Sequence, residues 1–116
     1  MAALRIAMLE ALPLDEERNL EARIEVSSWG WMMSDHGLGE LGQNEVDQLW
    51  TRLNGHLEEA RELDELVEGL DLDLATHELV ALIDGLSVER VHVPDRVPPQ
   101  RQLLMLDRLL ARFTSS

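Results

Sequence analysis

The chain has no cysteine and no tyrosine, a single phenylalanine, and only 10 basic residues against 23 acidic ones among its 116. Without cysteine there can be no disulfide, thiolate zinc site or cysteine nucleophile, and nothing points to an oxidising compartment. The shortage of basic residues leaves a formal charge of −13 at pH 7, still strongly negative with all 4 histidines protonated. Phosphate backbones are attracted chiefly through Lys and Arg, so that attraction has the wrong sign here and direct nucleic-acid contact by this chain is not expected. Long apolar runs are missing too. Arg5 and Glu10 interrupt the segment Met1 to Leu12, which therefore lacks a signal-peptide core, and the longest apolar run elsewhere is Leu79 to Ile83. The expectation is a soluble, cytoplasmic protein.

What remains is dominated by helical periodicity. At 116 residues and 13.2 kDa the chain reads as one domain, residues 1–116, hiding roughly two thirds of its unfolded surface. Apolar residues recur at helical spacing, and β-branched alternation bounded by turns is nowhere sustained, so the expected class is all-α with about five helices. A first helix, about Ala2 to Leu12, stops before Pro13, which disfavours helical geometry in its predecessor. Asp15 then suits an N-cap, with Glu16 and Glu17 at the positive end of a second helix, about Asp15 to Ser34. That helix carries apolar or small residues on two opposite faces, Leu20, Ile24, Ser27 and Trp31 against Ala22, Val26, Trp29 and Met33, and is expected to be sandwiched between layers. Asp35 to Gly42, with three glycines, reads as a loop or frayed helix. A third helix, about Asn44 to Leu63, has one stripe, Val46, Leu49, Trp50, Leu53, Leu57 and Ala60, and is placed on the outside. The acidic segment Glu62 to Asp73 reads as the most mobile connection.

The fourth helix, about Leu72 to Val91, has Leu79, Val80, Ala81, Leu82 and Ile83 around nearly its whole circumference, which calls for neighbours on every side. Gly85 inside it costs about 1 kcal/mol relative to Ala, and is read as letting another backbone approach. The fifth helix opens at Pro98-Pro99, where proline suits the first turn, and carries Leu103, Leu106, Leu110 and Phe113 at heptad spacing. Two terminal helices this apolar on so small a domain imply an interface.

Several segments in order carry a resemblance: Leu12-Pro13-Leu14-Asp15-Glu16-Glu17-Arg18, then Leu20-Glu21-Ala22-Arg23-Ile24, Trp29, Trp50, Leu79-Val80-Ala81-Leu82-Ile83-Asp84-Gly85-Leu86, and Pro98-Pro99-Gln100-Arg101 with Leu103, Leu106 and Leu109. Over essentially its whole length the chain resembles the ligand-binding, dimerising domain of TetR-family transcriptional regulators, particularly the BetI-like branch. The resemblance implies that the last two helices pair with their mates across a two-fold axis as an intermolecular four-helix bundle. It also implies that the preceding helices enclose an effector pocket, and that effector binding changes the spacing of two DNA-reading heads. The family's N-terminal helix-turn-helix, which would contact DNA, has no counterpart in these residues. Glu25, Ser27 and Ser28 stand where bulkier residues are common in the BetI-like branch, so its choline-related ligands do not carry over.

The expected ligand-binding set is Ile24, Ser27, Ser28, Trp31, Trp50, Leu53 and Asn54, an apolar and aromatic lining with a few polar groups to orient a small molecule. Plain core filling is the competing reading of the same residues. The expected dimer interface is Leu79, Leu82, Gly85, Leu86, Glu89, Leu103, Leu106, Leu110 and Phe113, with Glu89 and Arg90 available for ion pairs between copies. Asp73 with His77, and Glu89 with His92, have helix-face spacing suited to a metal, but a closed site needs about four ligands, and they read as solvated surface. Ser27 and Ser87 lack a nucleophile elbow and read as small packing residues. Glu16-Glu17 and Glu58-Glu59 read as solvated charge. The sequence thus points to a homodimeric, non-enzymatic sensor of an unknown small molecule, without metal or cofactor. The alternative is an orphan dimerisation or protein-interaction module without a functional pocket.

Overall fold

The computed structural model describes the backbone of residues 1–34 and 36–114 and the side chains of residues 1–29 and 44–114. The fold is all-α, with helices α1 (Ala2–Ala11), α2 (Glu16–Ser34), α3 (His36–Glu62), α4 (Leu72–His92) and α5 (Pro99–Phe113), and a 3₁₀ turn, Pro94–Arg96, between the last two. No strand forms among the described residues; an isolated antiparallel bridge joins Leu66 to Thr114.

The helix boundaries follow local chemistry. Leu12, extended at φ −81° and ψ 145°, ends α1 ahead of Pro13. The Asp15 carboxylate accepts the Arg18 N–H at 2.8 Å and pairs with the Arg18 guanidinium at 2.7 Å, satisfying a free donor of the first turn of α2. Asp71 does the same for α4, accepting the Leu74 N–H at 3.1 Å. Pro99 opens α5 in the first turn, where its missing N–H is no loss.

The start of α3 departs from expectation. It begins at His36, eight residues before Asn44, and its backbone runs on through Gly37, Gly39 and Gly42. Each glycine disfavours helix by about 1 kcal/mol relative to Ala, but the amphipathic segment that follows carries the hydrogen-bond ladder back through them. Asp35 lies outside the described residues.

The core is built from Leu4, Ala7, Met8 and Leu12 of α1, Leu53, Leu57 and Ala60 of α3, the inner face of α4, and Leu106, Leu109, Leu110 and Phe113 of α5. At about 1.5–3 kcal/mol for each large apolar side chain, these four helices account for most of the burial. The third helix packs on α1, α2 and α4 through Leu53, Leu57 and Ala60 and turns Asp47, Arg52, Glu58, Glu59 and Arg61 to solvent, the outside position expected of it. The molecule measures 42 × 33 × 18 Å. Over its described side chains α2 is covered on one side. Ala22 is buried and Val26 and Trp29 are half-buried, whereas Leu20, Ile24 and Ser27 face solvent, so α2 is not sandwiched.

The connection from α3 to α4, expected to be loose, is tied down. The Val67 N–H donates to the Phe113 carbonyl at 2.9 Å, Leu66 is buried, and Gly69 takes the left-handed φ of 79° that its turn requires. Gly85, expected to admit another backbone, meets nothing within 4 Å of an added Cβ outside its own turn of helix. Five residues assigned from sequence to the dimer interface, Leu79, Leu86, Leu106, Leu110 and Phe113, lie in the chain's own core, each at most 7% exposed.

Candidate functional site

The outer face of α2 carries an open groove of ≈ 590 Å³, lined among the described residues by Leu20, Arg23, Ile24, Ser27 and Ser28. Leu20 and Ile24 are one turn apart, as are Arg23 and Ser27, so the groove is an apolar strip with a polar strip beside it. Leu20 is 58% and Ile24 61% exposed, an uncommon outlay of large apolar surface on one helix face. The Ser28 hydroxyl donates to the Glu25 carbonyl at 2.8 Å and is held within its own helix.

The expected ligand residues divide between two places. Ile24, Ser27 and Ser28 line the groove. The three on α3 point elsewhere: Leu53 is fully buried in the core, Asn54 donates to the Thr76 Oγ1 at 3.1 Å, and Trp50 sets its ring edgewise to His77 with centroids 6.0 Å apart. Thr76, itself fully buried, passes the chain on to the Leu72 carbonyl at 2.7 Å, so Asn54 is a bridge between α3 and α4. The Trp31 side chain lies outside the described residues. Two lining residues, Leu20 and Arg23, were not in the expected set, although their spacing to Ile24 and Ser27 placed them on the same face.

Behind the groove, α2 turns its acidic flank toward α3 and α4. The Glu25 carboxyl is held above the usual carboxylate range, first because burial penalises its ionised form and then through repulsion from Glu45, Glu21 and Asp84. Burial also raises Asp84 of α4. No group of three or more potential ligands among the described residues could hold a metal ion, and no described helix is long and apolar enough to cross a membrane.

The outer faces of α4 and α5 differ from the stripes expected to dimerise. Leu74, Ala81, Gly85 and Glu89 of α4, and Arg101, Leu104, Arg108 and Ala111 of α5, are exposed, with Leu82 and Leu103 half-buried at the edges. The Arg112–Glu78 ion pair, 3.2 Å, joins the two helices at one end. Arg90 is turned to its own chain, donating to the Pro94 carbonyl at 2.7 Å and to Asn19 Oδ1 at 3.3 Å.

Five helices, with an outward groove on the second and exposed small residues on the last two, make up an all-α domain. The family model for the C-terminal domain of BetI-type transcriptional repressors matches residues 1–115, and the chain belongs to that family within the TetR regulators. No curated protein matches the chain significantly.

Proposed function

We propose that the chain is the effector-sensing and dimerisation domain of a TetR-type regulator, binding a small molecule on α2 and pairing with a second copy through α4 and α5. It acts by binding, without catalysis, in the cytoplasm, and it contacts DNA only through a separate head. The observation that carries this reading is the match to the BetI-type C-terminal domain over residues 1–115, beside an open surface groove on α2 lined by Leu20, Arg23, Ile24, Ser27 and Ser28.

For the dimer, the surface available is the outward face of the last two helices. Ala81 and Gly85 are small enough for close helix approach, Leu74 and Leu104 supply apolar contact, and Leu82, Glu89 and Leu103 remain from the sequence-derived set. The charges are complementary: Glu78 and Glu89 lie on α4, and Arg101 and Arg108 on α5. The buried leucines Leu79, Leu86, Leu106 and Leu110 support that face from beneath rather than touching the partner.

A calorimetric screen of apolar, cationic and anionic metabolites tests the sensor reading. The expected result is saturable, one-site binding that is lost in Ile24→Asn while helix content is retained. Hits that bind Ile24→Asn as well as the parent would place the site off α2 and contradict the proposal.

A further inference from the structure

Among the described residues that line the groove on α2, one is charged, and it is basic: Arg23. Arg23 stands beside the Leu20–Ile24 strip and, like several other arginines of the chain, makes no ion pair among the described residues, which leaves its guanidinium available to a ligand. Ser27, one turn on from Arg23, has a hydroxyl left to donate, while that of Ser28 is already committed to the Glu25 carbonyl. A guanidinium and a hydroxyl one turn apart form a donor pair suited to a carboxylate. The adjoining apolar strip is Leu20 and Ile24, which with their side chains spans about 6 Å of helix at roughly 1.5 Å per residue and gives an apolar chain a short line of contact.

We propose that the groove takes a small amphiphilic anion, an apolar chain ending in one carboxylate, with the chain along Leu20 and Ile24 and the carboxylate at Arg23 and Ser27. This rests on the effector reading above and adds the chemical class. A quaternary ammonium would meet the Arg23 guanidinium, and an uncharged chain would leave it without a counter-charge. The charge of −13 keeps the domain off anionic bilayers, so the ligand is a dissolved monomer rather than a lipid headgroup.

The test is a titration of the intact chain with octanoate, octanol and octyltrimethylammonium, each below its micelle-forming concentration, by calorimetry and by NMR of the α2 amides. Octanoate is expected to bind one site and shift amides between Leu20 and Ser28. Arg23→Gln should weaken octanoate by about fivefold, the scale of one exposed ion pair, and leave octanol unchanged. Equal affinity for octanoate and octanol, preference for the ammonium, or an unaffected Arg23→Gln variant would overturn the anion assignment. If in those cases the shifts still map to α2 and Ile24→Asn removes them, the effector groove stands and only the ligand class falls. Failure of all three probes to shift α2 amides would overturn both.

Discussion

A single buried amide shows how much one polar side chain decides in this fold. Gln102 is fully buried in the apolar stripe of α5, and its Nε2 donates to the Pro13 carbonyl at 3.1 Å and the Val97 carbonyl at 2.9 Å. It therefore ties the α1–α2 corner to the start of α5. Replacing it by Leu leaves two buried carbonyls without a donor, each costing about 1–3 kcal/mol, but also removes the Gln102 Oε1, which is buried without a partner among the described residues, so Gln102→Leu is expected to lose about 1–3 kcal/mol in denaturant unfolding. A loss under about 0.5 kcal/mol, the level of an ordinary surface change, would show that the amide is dispensable. The residue was legible but passed over: it falls on the same helix face as Leu106, Leu109 and Phe113, where a glutamine is out of place unless it has partners.

Glu25 and Asp84 supply the pH dependence. Both carboxyls are raised in the folded state, so the fold holds its protons more tightly than the unfolded chain, and stability falls as pH rises through the window just above their ordinary values of 4.5 and 3.8. Asp84→Asn and Glu25→Gln should each raise the melting temperature at pH 7 and reduce the loss of stability between about pH 4 and pH 7. Melting curves that coincide with the parent across that range would contradict the assignment. Nothing in the linear sequence places Glu25 near Glu45 and Asp84, since that proximity depends on how α2, α3 and α4 pack.

Among the elements, the helices that announce themselves by caps and prolines were the most legible. Pro13, Asp15 and Pro99 act through local sterics and hydrogen bonds, and α1, α2 and α5 begin or end within a residue or two of where those signals place them. The extension of α3 back to His36 was hidden because glycine propensity reads against helix, while the ladder that overrides it is cooperative. The two-faced pattern of α2 was visible, but the pattern cannot say whether a second layer exists. The described residues supply none over Leu20 and Ile24, and the face carrying them becomes a groove. Thr76→Val tests the contact between α3 and α4: it strands the Asn54 amide and is expected to cost about 0.5–1.5 kcal/mol, measured by denaturant midpoint. An unchanged midpoint would mean Asn54 finds another partner.

For the whole molecule, the leucines of α4 and α5 were correctly seen as needing neighbours, and the ambiguity lay in whose. A periodic stripe reports that a face is buried without reporting whether its own chain or a copy buries it. Here Leu79, Leu86, Leu106, Leu110 and Phe113 complete the chain's own core, and the proposed dimer face is the exposed, smaller-residue side that holds Ala81, Gly85, Leu104 and Ala111. The position of Gly85 makes the distinction testable. With nothing within 4 Å of an added Cβ outside its own turn of helix, a larger residue there is expected to leave the monomer fold intact, and helix propensity alone would favour it by up to about 1 kcal/mol. Any penalty must then come from another molecule.

The most direct measurement is therefore the solution mass by light scattering, over a dilution series, of the parent chain beside Gly85→Leu. A parent at twice 13.2 kDa that the variant reaches only at concentrations higher by tenfold or more, as overpacking of about 1–3 kcal/mol per site requires, is the predicted result. A parent that remains a monomer throughout, or a Gly85→Leu dimer as tight as the parent, would contradict the assignment of the α4–α5 outer face as the dimer surface.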